Sequence, residues 1–164
     1  MVTSAGRRHS KAMRDDSIYK ILKTDHETVK EIFEQMESAE DRPTRERLVA
    51  RLKHELLAHA QAEDIVFYQP LKVADDARDL ILEAEEEHRV VARLLGELDR
   101  LSADNEKWAA RATVLKEMVE HHVEEEEGDL FKKAKKIFDS EQERELGAAF
   151  LAEKKRLQAE MRAA

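Results

Sequence analysis

Two stretches of the chain share one pattern: HAQAEDIVFY at residues 59–68 and HVEEEEGDLF at residues 122–131. Each begins with a histidine, has a glutamate four residues later with another acid after it, and carries an apolar or aromatic pair at offsets eight and nine. Four glutamates in a row, as in the second stretch, are by themselves typical of a solvated helix face. The repeated spacing, however, indicates a shared structural role for the two stretches.

An acid–histidine pair precedes each stretch, DH at residues 25–26 and EH at residues 87–88. The two motif histidines of the first half are 33 residues apart (59 − 26), and those of the second half are 34 apart (122 − 88). Each half of the chain therefore contains one helix with an acid–histidine pair and one with His-x-x-x-Glu. Two helix pairs built alike predict a pseudo-twofold arrangement of these motifs.

Composition and periodicity predict an all-α fold. The 164 residues are 40% charged and 41% hydrophobic, with only 4 Gly and 2 Pro, which is typical of long amphipathic helices. Apolar residues at helical spacing predict five helices: about 15–38, 43–70, 75–101, 105–127 with a loosening at Gly128, and a last one that opens with a capping box from Ser140 to Glu143.

Helices of this length joined by short turns favour an antiparallel four-helix bundle with an additional C-terminal helix. The expected organisation is a flexible tail over residues 1–14, the bundle over 15–138 and an accessory helix over 139–164. The accessory helix would either cover the bundle or mediate dimerisation, so both a monomer and a homodimer stay open.

Charge and composition argue against several classes of protein. The net charge of −8 disfavours a nucleic-acid surface, which needs a basic stripe. No apolar run approaches the length of a membrane span, and the first residues lack the apolar core of a secretory signal. Cysteine is missing, which excludes disulfides and thiolate metal sites. A cytoplasmic protein without nucleic-acid or membrane partners is expected.

The motif residues fall on the apolar sides of their helices. His59 and Glu63 are four residues apart, hence about 40° apart around the helix axis, and they continue the stripe of Leu52 and Leu56. His54, in contrast, is expected to face outward. Six candidate site residues project into the core by this reasoning: His26, His59, Glu63, His88, His122 and Glu126. A rival register that pairs His121 with Glu125 stays open.

Two buried carboxylates and four buried imidazoles would be costly without compensation. A single histidine on an apolar stripe is more often a hydrogen-bonded core residue than a ligand. Six uncompensated groups together would exceed the roughly 5–15 kcal/mol that holds a domain folded, whereas a metal centre offsets that cost. Nitrogen and oxygen ligands without sulfur suit iron or manganese, with zinc as a competitor. Two carboxylates between two pairs of imidazoles describe a dinuclear site.

This set of six residues resembles the ligand set of the hemerythrin-like (HHE cation-binding) domains, over roughly residues 15–137. The resemblance implies a four-helix bundle that holds two non-haem iron ions with an oxo or hydroxo bridge. It further implies that Glu63 and Glu126 bridge the two irons and that the four histidines are terminal ligands. Manganese or zinc could substitute for iron.

The sequence departs from the oxygen-carrying hemerythrins at one position. Those proteins have His-x-x-x-His on the third helix, whereas Ala92 stands four residues after His88 here. The iron at His88 then lacks one protein ligand unless water, Glu85 or His121 takes that position. A more open centre favours sensing or turnover over reversible oxygen carriage.

Three functions are open at this point. The first is a di-iron protein that binds O₂ or related small molecules, for oxygen or redox sensing or buffering. The second is a di-iron oxidoreductase that decomposes peroxide in a catalase-like reaction or reacts with NO. The third is a metal-free helical interaction protein. Tyr19 and Tyr68 are expected to be packing residues, with hydrogen-bond donation to the ligands as the alternative.

Overall fold

The computed structural model describes residues 16–164, whose regular structure is entirely helical. Seven α-helical segments are present in this part of the chain: α1 (Ile18–Ser38), α2 (Arg42–Glu63), α3 (Gln69–Lys72), α4 (Asp75–Arg100), α5 (Trp108–Glu125), α6 (Phe131–Ile137) and α7 (Ser140–Ala163). Two π-helical turns join them: π1 (Asp64–Tyr68) between α2 and α3, and π2 (Glu126–Leu130) between α5 and α6. The tail predicted over residues 1–14 lies outside the described residues.

Four long helices form a closed ring of neighbours. Helix α1 packs on α2 and α4 packs on α5, while contacts of α2 with α4 and of α1 with α5 join the two pairs. Helix α7 packs along both α1 and α2. The predicted four-helix bundle with an additional C-terminal helix is confirmed. Within residues 16–164, no helix is apolar over a length that could cross a bilayer.

Side chains cap the helices at positions that partly differ from those expected. Helix α1 begins after Ser17, whose hydroxyl accepts from the backbone N–H of Lys20 at 3.4 Å. The capping box of α7 joins Asp139 and Gln142 in both directions at 2.9 Å. The box predicted from Ser140 to Glu143 was therefore wrong by one residue, because Asp139 and not Ser140 is the residue whose side chain accepts from the first turn.

The fourth long helix also begins later than predicted. Asn105, expected to start it, belongs to the preceding turn, where its side chain accepts from the backbone N–H of Lys107 at 2.9 Å. Regular α-helix then begins at Trp108. At its other end, where a loosening at Gly128 was predicted, the helix passes through π2, which contains Gly128, into α6.

The two π turns occupy equivalent places in the repeat. One follows Glu63 directly and the other begins at Glu126. In an unbroken α-helix, Tyr68 would point about 180° away from His59, nine residues earlier. A π turn takes up one extra residue and brings Tyr68 back to the core, where it is completely buried. The apolar pair at offsets eight and nine is buried for this reason.

The apolar core consists of two clusters with the motif residues between them. One cluster contains residues such as Ile18, Phe67 and Phe131, and α7 adds Phe150 to it. The other includes Phe33 and, toward the opposite end of the bundle, Trp108. Along α1 and α4 the motif histidine lies between residues of one cluster and residues of the other, whereas α5 carries residues of the second cluster and the first cluster resumes at Leu130 in π2. The polar layer is thus enclosed on both sides by packed side chains.

Gly147 fixes how closely α7 approaches α1. A Cβ atom at this position would lie 2.6 Å from the backbone oxygen of Asp16 and 2.8 Å from Cδ1 of Ile21. Since a backbone oxygen cannot move aside as a side chain can, any side chain here would force the two helices apart.

We predict that Gly147→Ala lowers the free energy of unfolding by about 1–3 kcal/mol, as overpacking typically does. Gly96→Ala is the matched control within α4, since its Cβ would meet only the flexible end of Arg100 at 3.3 Å. The control should be neutral or stabilising by up to about 1 kcal/mol, because alanine favours helix. Urea denaturation measures both, and equal stability of Gly147→Ala and wild type would contradict the close approach.

Candidate metal centre

The structure brings all six predicted site residues together in the polar layer. They form two clusters with one common member, and within each cluster the potential ligand atoms lie within 4.8 Å of one another. The first cluster comprises His26, His59, Glu63 and Glu126, and the second comprises Glu63, His88 and His122. All six residues are buried, with Glu63 fully inaccessible. Two adjacent positions that could hold metal ions therefore share a carboxylate.

The two glutamates lie between the two pairs of histidines. Oε2 of Glu63 is 3.6 Å from Nε2 of His59, 3.2 Å from that of His88 and 3.9 Å from that of His122. Glu126 places Oε1 3.3 Å from Nε2 of His26 and Oε2 3.5 Å from that of His122. Each carboxylate thus contacts histidines of both clusters, as a group that bridges two ions must.

A second set of carboxylates holds the histidines from the outside. Each Nδ1–H donates at 2.7–2.9 Å to an acid of another helix or π turn: His26 to Glu127, His59 to Asp25, His88 to Asp64 and His122 to Glu87. Because a carboxylate only accepts, the proton lies on Nδ1 and Nε2 is directed to the centre. The four bonds connect α1 to α2, π1 to α4, α4 to α5 and π2 to α1. They close a ring around the bundle.

The field of these carboxylates favours positive charge at the centre. Burial alone would lower the pKa of His26, but the neighbouring carboxylates of Glu126 and Glu127 raise it to about 10. Burial would likewise raise the pKa of Glu126, yet His122 and His26 hold it well below the usual range. The centre is therefore built to hold cations, and a metal ion that binds here takes the place of protons on the imidazoles.

Several buried atoms fit a metal ion directly. Five ligand atoms form no hydrogen bond with any residue from 16 to 164: Nε2 of His26 and of His59, both oxygens of Glu63, and Oε1 of Glu126. Buried polar atoms are rarely left in this state. Nε2 of His88 and Nε2 of His122 are 3.1 Å apart, and two nitrogens bound to one ion at about 2.1 Å and at right angles lie about 3 Å apart. Such donors suit iron or manganese.

Tyr68 takes part in the centre, and the packing role expected for it was incomplete. Its hydroxyl donates a hydrogen bond to Oε2 of Glu126 and lies 3.5 Å from Nε2 of His122. Burial, with Glu126 beside it, raises the pKa of Tyr68 well above its usual value, so that the phenol stays protonated. Tyr19 packs as expected, with its ring centroid 4.9 Å from that of Phe131.

Neither protein group suggested as an additional ligand reaches the centre. Lys72 binds both oxygens of Glu85 at 2.5 and 2.7 Å. The side chain of His121 is 55% exposed, and its Nε2 lies 3.4 Å from Glu87 and from Glu125. The rival register of His121 with Glu125 therefore lies on the surface, and the inward register is that of the buried pair one residue later.

A cavity of about 20 Å³ lies on the histidine side of the centre. Apart from the four imidazoles, its lining is apolar: Val29, Leu56, Ala60, Val91, Val119 and Val123. A volume of this size holds about one water-sized molecule. The centre is therefore open only to a very small ligand on this side.

Comparison with known proteins identifies the family. The family description "Hemerythrin HHE cation binding domain" matches residues 17–134. The chain belongs to this family. It is similar to the crystal structure of a hemerythrin HHE cation binding domain-containing protein from Mycobacterium kansasii, with a TM-score of 0.79 and 26% identity over 88% of this chain and 89% of the other.

Two curated relatives match this chain over a smaller share of their own length. A DNA nickase of Nostoc is 26% identical over 145 residues, which cover 88% of this chain and 41% of the relative. An uncharacterized hemerythrin-like protein of Schizosaccharomyces pombe is 25% identical over 114 residues, 68% of this chain and 54% of the relative. The chain thus spans about half of the length of these relatives. This chain itself has a hemerythrin-like domain with buried histidines and glutamates that could bind metal.

The outer carboxylates were not assigned from the sequence, although the signal was present. Asp25 and Glu87 are the acids that precede a motif histidine, and Asp64 and Glu127 are those that follow a motif glutamate. Because these four acids recur in both halves, the HHE repeat itself marks them. Their roles could be found only after the helix packing was known, since each acid serves a histidine of another helix.

We predict that Glu63→Gln abolishes the response of thermal stability to metal. At a metal concentration 100 times Kd, binding stabilises a fold by about 2.7 kcal/mol, which raises Tm by about 5–10 °C for a chain of this size. A chelator should lower the Tm of metal-loaded wild type by this amount and leave Glu63→Gln unchanged. Calorimetry with metal analysis measures both effects.

His54→Ala is the matched control on the same helix. His54 lies outside the centre, where its Nε2 is 3.3 Å from Arg162, so this variant should keep the metal content and the chelator response of wild type. Wild-type metal content in Glu63→Gln would instead show that the shared carboxylate is not a ligand.

Proposed function

We propose that this protein is a non-haem di-iron protein that binds O₂ or a related diatomic molecule, for oxygen or redox sensing or buffering. In this proposal, Glu63 and Glu126 bridge two irons whose terminal ligands are the four buried histidines. Iron supplies the redox-active positions at which such a molecule binds. The observation that carries the proposal is the small apolar cavity that all four histidines help to line.

The size and the polarity of the cavity determine which small molecules can bind in it. About 20 Å³ accommodates a diatomic molecule and excludes an organic substrate. Aliphatic side chains line it on every side except that of the imidazoles, so that a polar ligand would lose hydrogen bonds to water that this lining does not replace. O₂ and NO lose little on entering such a site.

The departure at Ala92 fits the same proposal. Ala92 cannot act as a ligand, and its side chain is exposed. Since Glu85 is held by Lys72, the ion at His88 and His122 has fewer protein ligands than it can bind. The open position favours binding of a small ligand at this ion.

We predict that the size of residue 119 controls access to the iron. Val119 lines the cavity and is 6% exposed; Val119→Ile should slow NO binding to the ferrous protein several-fold, and Val119→Ala should accelerate it. Both variants should keep about two irons per chain, the number implied by the two clusters. Stopped-flow absorption after iron loading measures the rates.

Val114→Ile is the control, because Val114 lies on the same helix and is 48% exposed. Its NO binding should equal that of wild type. A protein that takes up no iron, or that holds iron but binds neither NO nor O₂, would contradict the proposed function. Equal rates in all three variants would show that the ligand enters elsewhere.

Turnover of peroxide is the second candidate, and Tyr68 favours it. A buried, protonated phenol that donates to Glu126 beside His122 can provide a proton and a hydrogen bond close to the open position. Peroxide needs such polar groups, which the cavity wall lacks. The two candidates therefore use different sides of one centre.

We predict that Tyr68→Phe lowers peroxide decomposition at least several-fold if this second function is real. Iron content should be retained, because every proposed ligand is unchanged. Phe131 is the residue at the same offset from Glu126 and shows that the fold accepts phenylalanine there. Oxygen release from added peroxide is the measurement. Undiminished turnover would remove Tyr68 from the reaction, and the lack of turnover in wild type would leave ligand binding alone.

The nickase name of the Nostoc relative concerns a protein more than twice as long as the shared segment. For this chain the absence of a nucleic-acid partner stays a prediction, supported by the net charge of −8.

A further inference from the structure

Helix α7 contacts the surroundings of the centre through a partly buried lysine. Nζ of Lys154 donates to Oδ2 of Asp25 at 2.8 Å and to Oε2 of Glu55 at 2.9 Å, and its side chain is 12% exposed. The same oxygen of Asp25 accepts from Nδ1 of His59 at 2.9 Å. A continuous chain of hydrogen bonds therefore leads from an ammonium group on α7 to a proposed ligand. One turn earlier on α7, Phe150 packs edge-on against the imidazole of His59, with centroids 5.5 Å apart.

The equivalent carboxylate in the other half has a different environment. Glu87 accepts from His122 at 2.7 Å, as Asp25 does from His59. Its other oxygen, however, faces the exposed ring of His121 at 3.4 Å, and no lysine among residues 16–164 pairs with it. The bundle repeats the carboxylate, but α7 adds a partly buried cation to one copy only. The two metal positions thus differ beyond their ligands.

Electrostatics determines whether Lys154 favours the ferrous or the ferric state of an ion bound next to it. A carboxylate that accepts from His59 makes the imidazole a stronger electron donor to metal. Lys154 shares the accepting oxygen, draws charge from it and weakens that effect. Its own positive charge also opposes a further positive charge at the nearby ion, and solvent screening is reduced because the side chain is only 12% exposed. Both contributions favour the ferrous over the ferric state.

We propose that Lys154 is a positioning residue that raises the reduction potential of the ion held by His26 and His59 relative to the ion held by His88 and His122. This inference rests on the di-iron centre of the proposed function and extends it. The ion next to α7 is then the first to accept an electron, while the ion with the open position stays ferric. Helix α7 thereby controls the reduction potential of one of the two ions electrostatically.

The test is a reductive titration of the diferric protein with dithionite and mediators, in which each one-electron step converts one ferric ion to the ferrous state. Lys154→Met removes the charge and keeps the length of the side chain. One of the two potentials should fall and the other should stay, so that their separation decreases. Lys154→Arg should restore the wild-type values.

Glu55→Gln should shift the same reduction potential in the opposite direction. Its position does not touch a proposed ligand. It removes the second carboxylate that shares Lys154, so the ammonium acts more strongly on Asp25 and the same potential should rise. This variant decides the question if Lys154→Met fails to fold. Lys116→Met is the control, since Lys116 forms a comparable pair with Glu37 at 2.7 Å and contacts none of the outer carboxylates.

Unchanged potentials in Lys154→Met or in Glu55→Gln overturn the inference, as does an equal shift of both potentials. Lower Tm or lower iron content with unchanged potentials would show a merely structural role and overturns it too. The two proposals fail in different ways. Iron that shows the predicted shifts but binds no diatomic ligand contradicts only the proposed function, and ligand binding without the shifts contradicts only the role of Lys154. A protein without iron contradicts both.

Discussion

The burial of two carboxylates between four imidazoles is the constraint on which the rest of this structure depends. Glu63 is completely buried and neither of its oxygens accepts a hydrogen bond from residues 16–164. An isolated carboxylate in such a place is among the most costly groups that a fold can contain. The cost is tolerable only when positive charge lies between the carboxylates and the imidazoles. For this reason the centre and the fold cannot be understood separately.

The outer ring of carboxylates connects the histidines of the centre to the packing of the four helices. Each of its four hydrogen bonds joins a histidine to an acid from a neighbouring helix or π turn, and together they pass once around the four helices. Correct packing therefore orients every imidazole, and correctly oriented imidazoles hold the helices in register. Both π turns belong to this arrangement, because each contains one of the outer acids: Asp64 in π1 accepts from His88, and Glu127 in π2 accepts from His26.

Much of this could be predicted from the sequence, since periodicity and a repeat carry it. Helical spacing places His59 and Glu63 on one face whatever their neighbours are, and the match between the two halves favours His122 and Glu126 over the rival pair His121 and Glu125. The π turns could not be predicted in this way, because they break that register; the burial of both Phe67 and Tyr68 is their consequence. The pairing of Lys154 with Asp25 could not be predicted either, since the two residues are 129 positions apart in the sequence.

Function depends on the places where the two halves stop being alike. A symmetric centre would hold two equivalent ions and would offer a ligand no preferred position. Here Tyr68 donates to Glu126, whereas Phe131 at the matching position of the other half has no hydroxyl to donate. Lys154 binds the outer carboxylate of one half, and the other half has only the exposed His121.

These differences lie at opposite clusters of the centre. The ammonium group of Lys154 lies behind His59, whereas the phenol of Tyr68 lies beside His122, and Ala92, which cannot act as a ligand, stands four residues after His88. In the proposed di-iron centre, the ion at His26 and His59 would thereby take up an electron first, and the ion at His88 and His122 would bind the small molecule. The repeat places the six buried site residues, and the residues that depart from the repeat make the two clusters different.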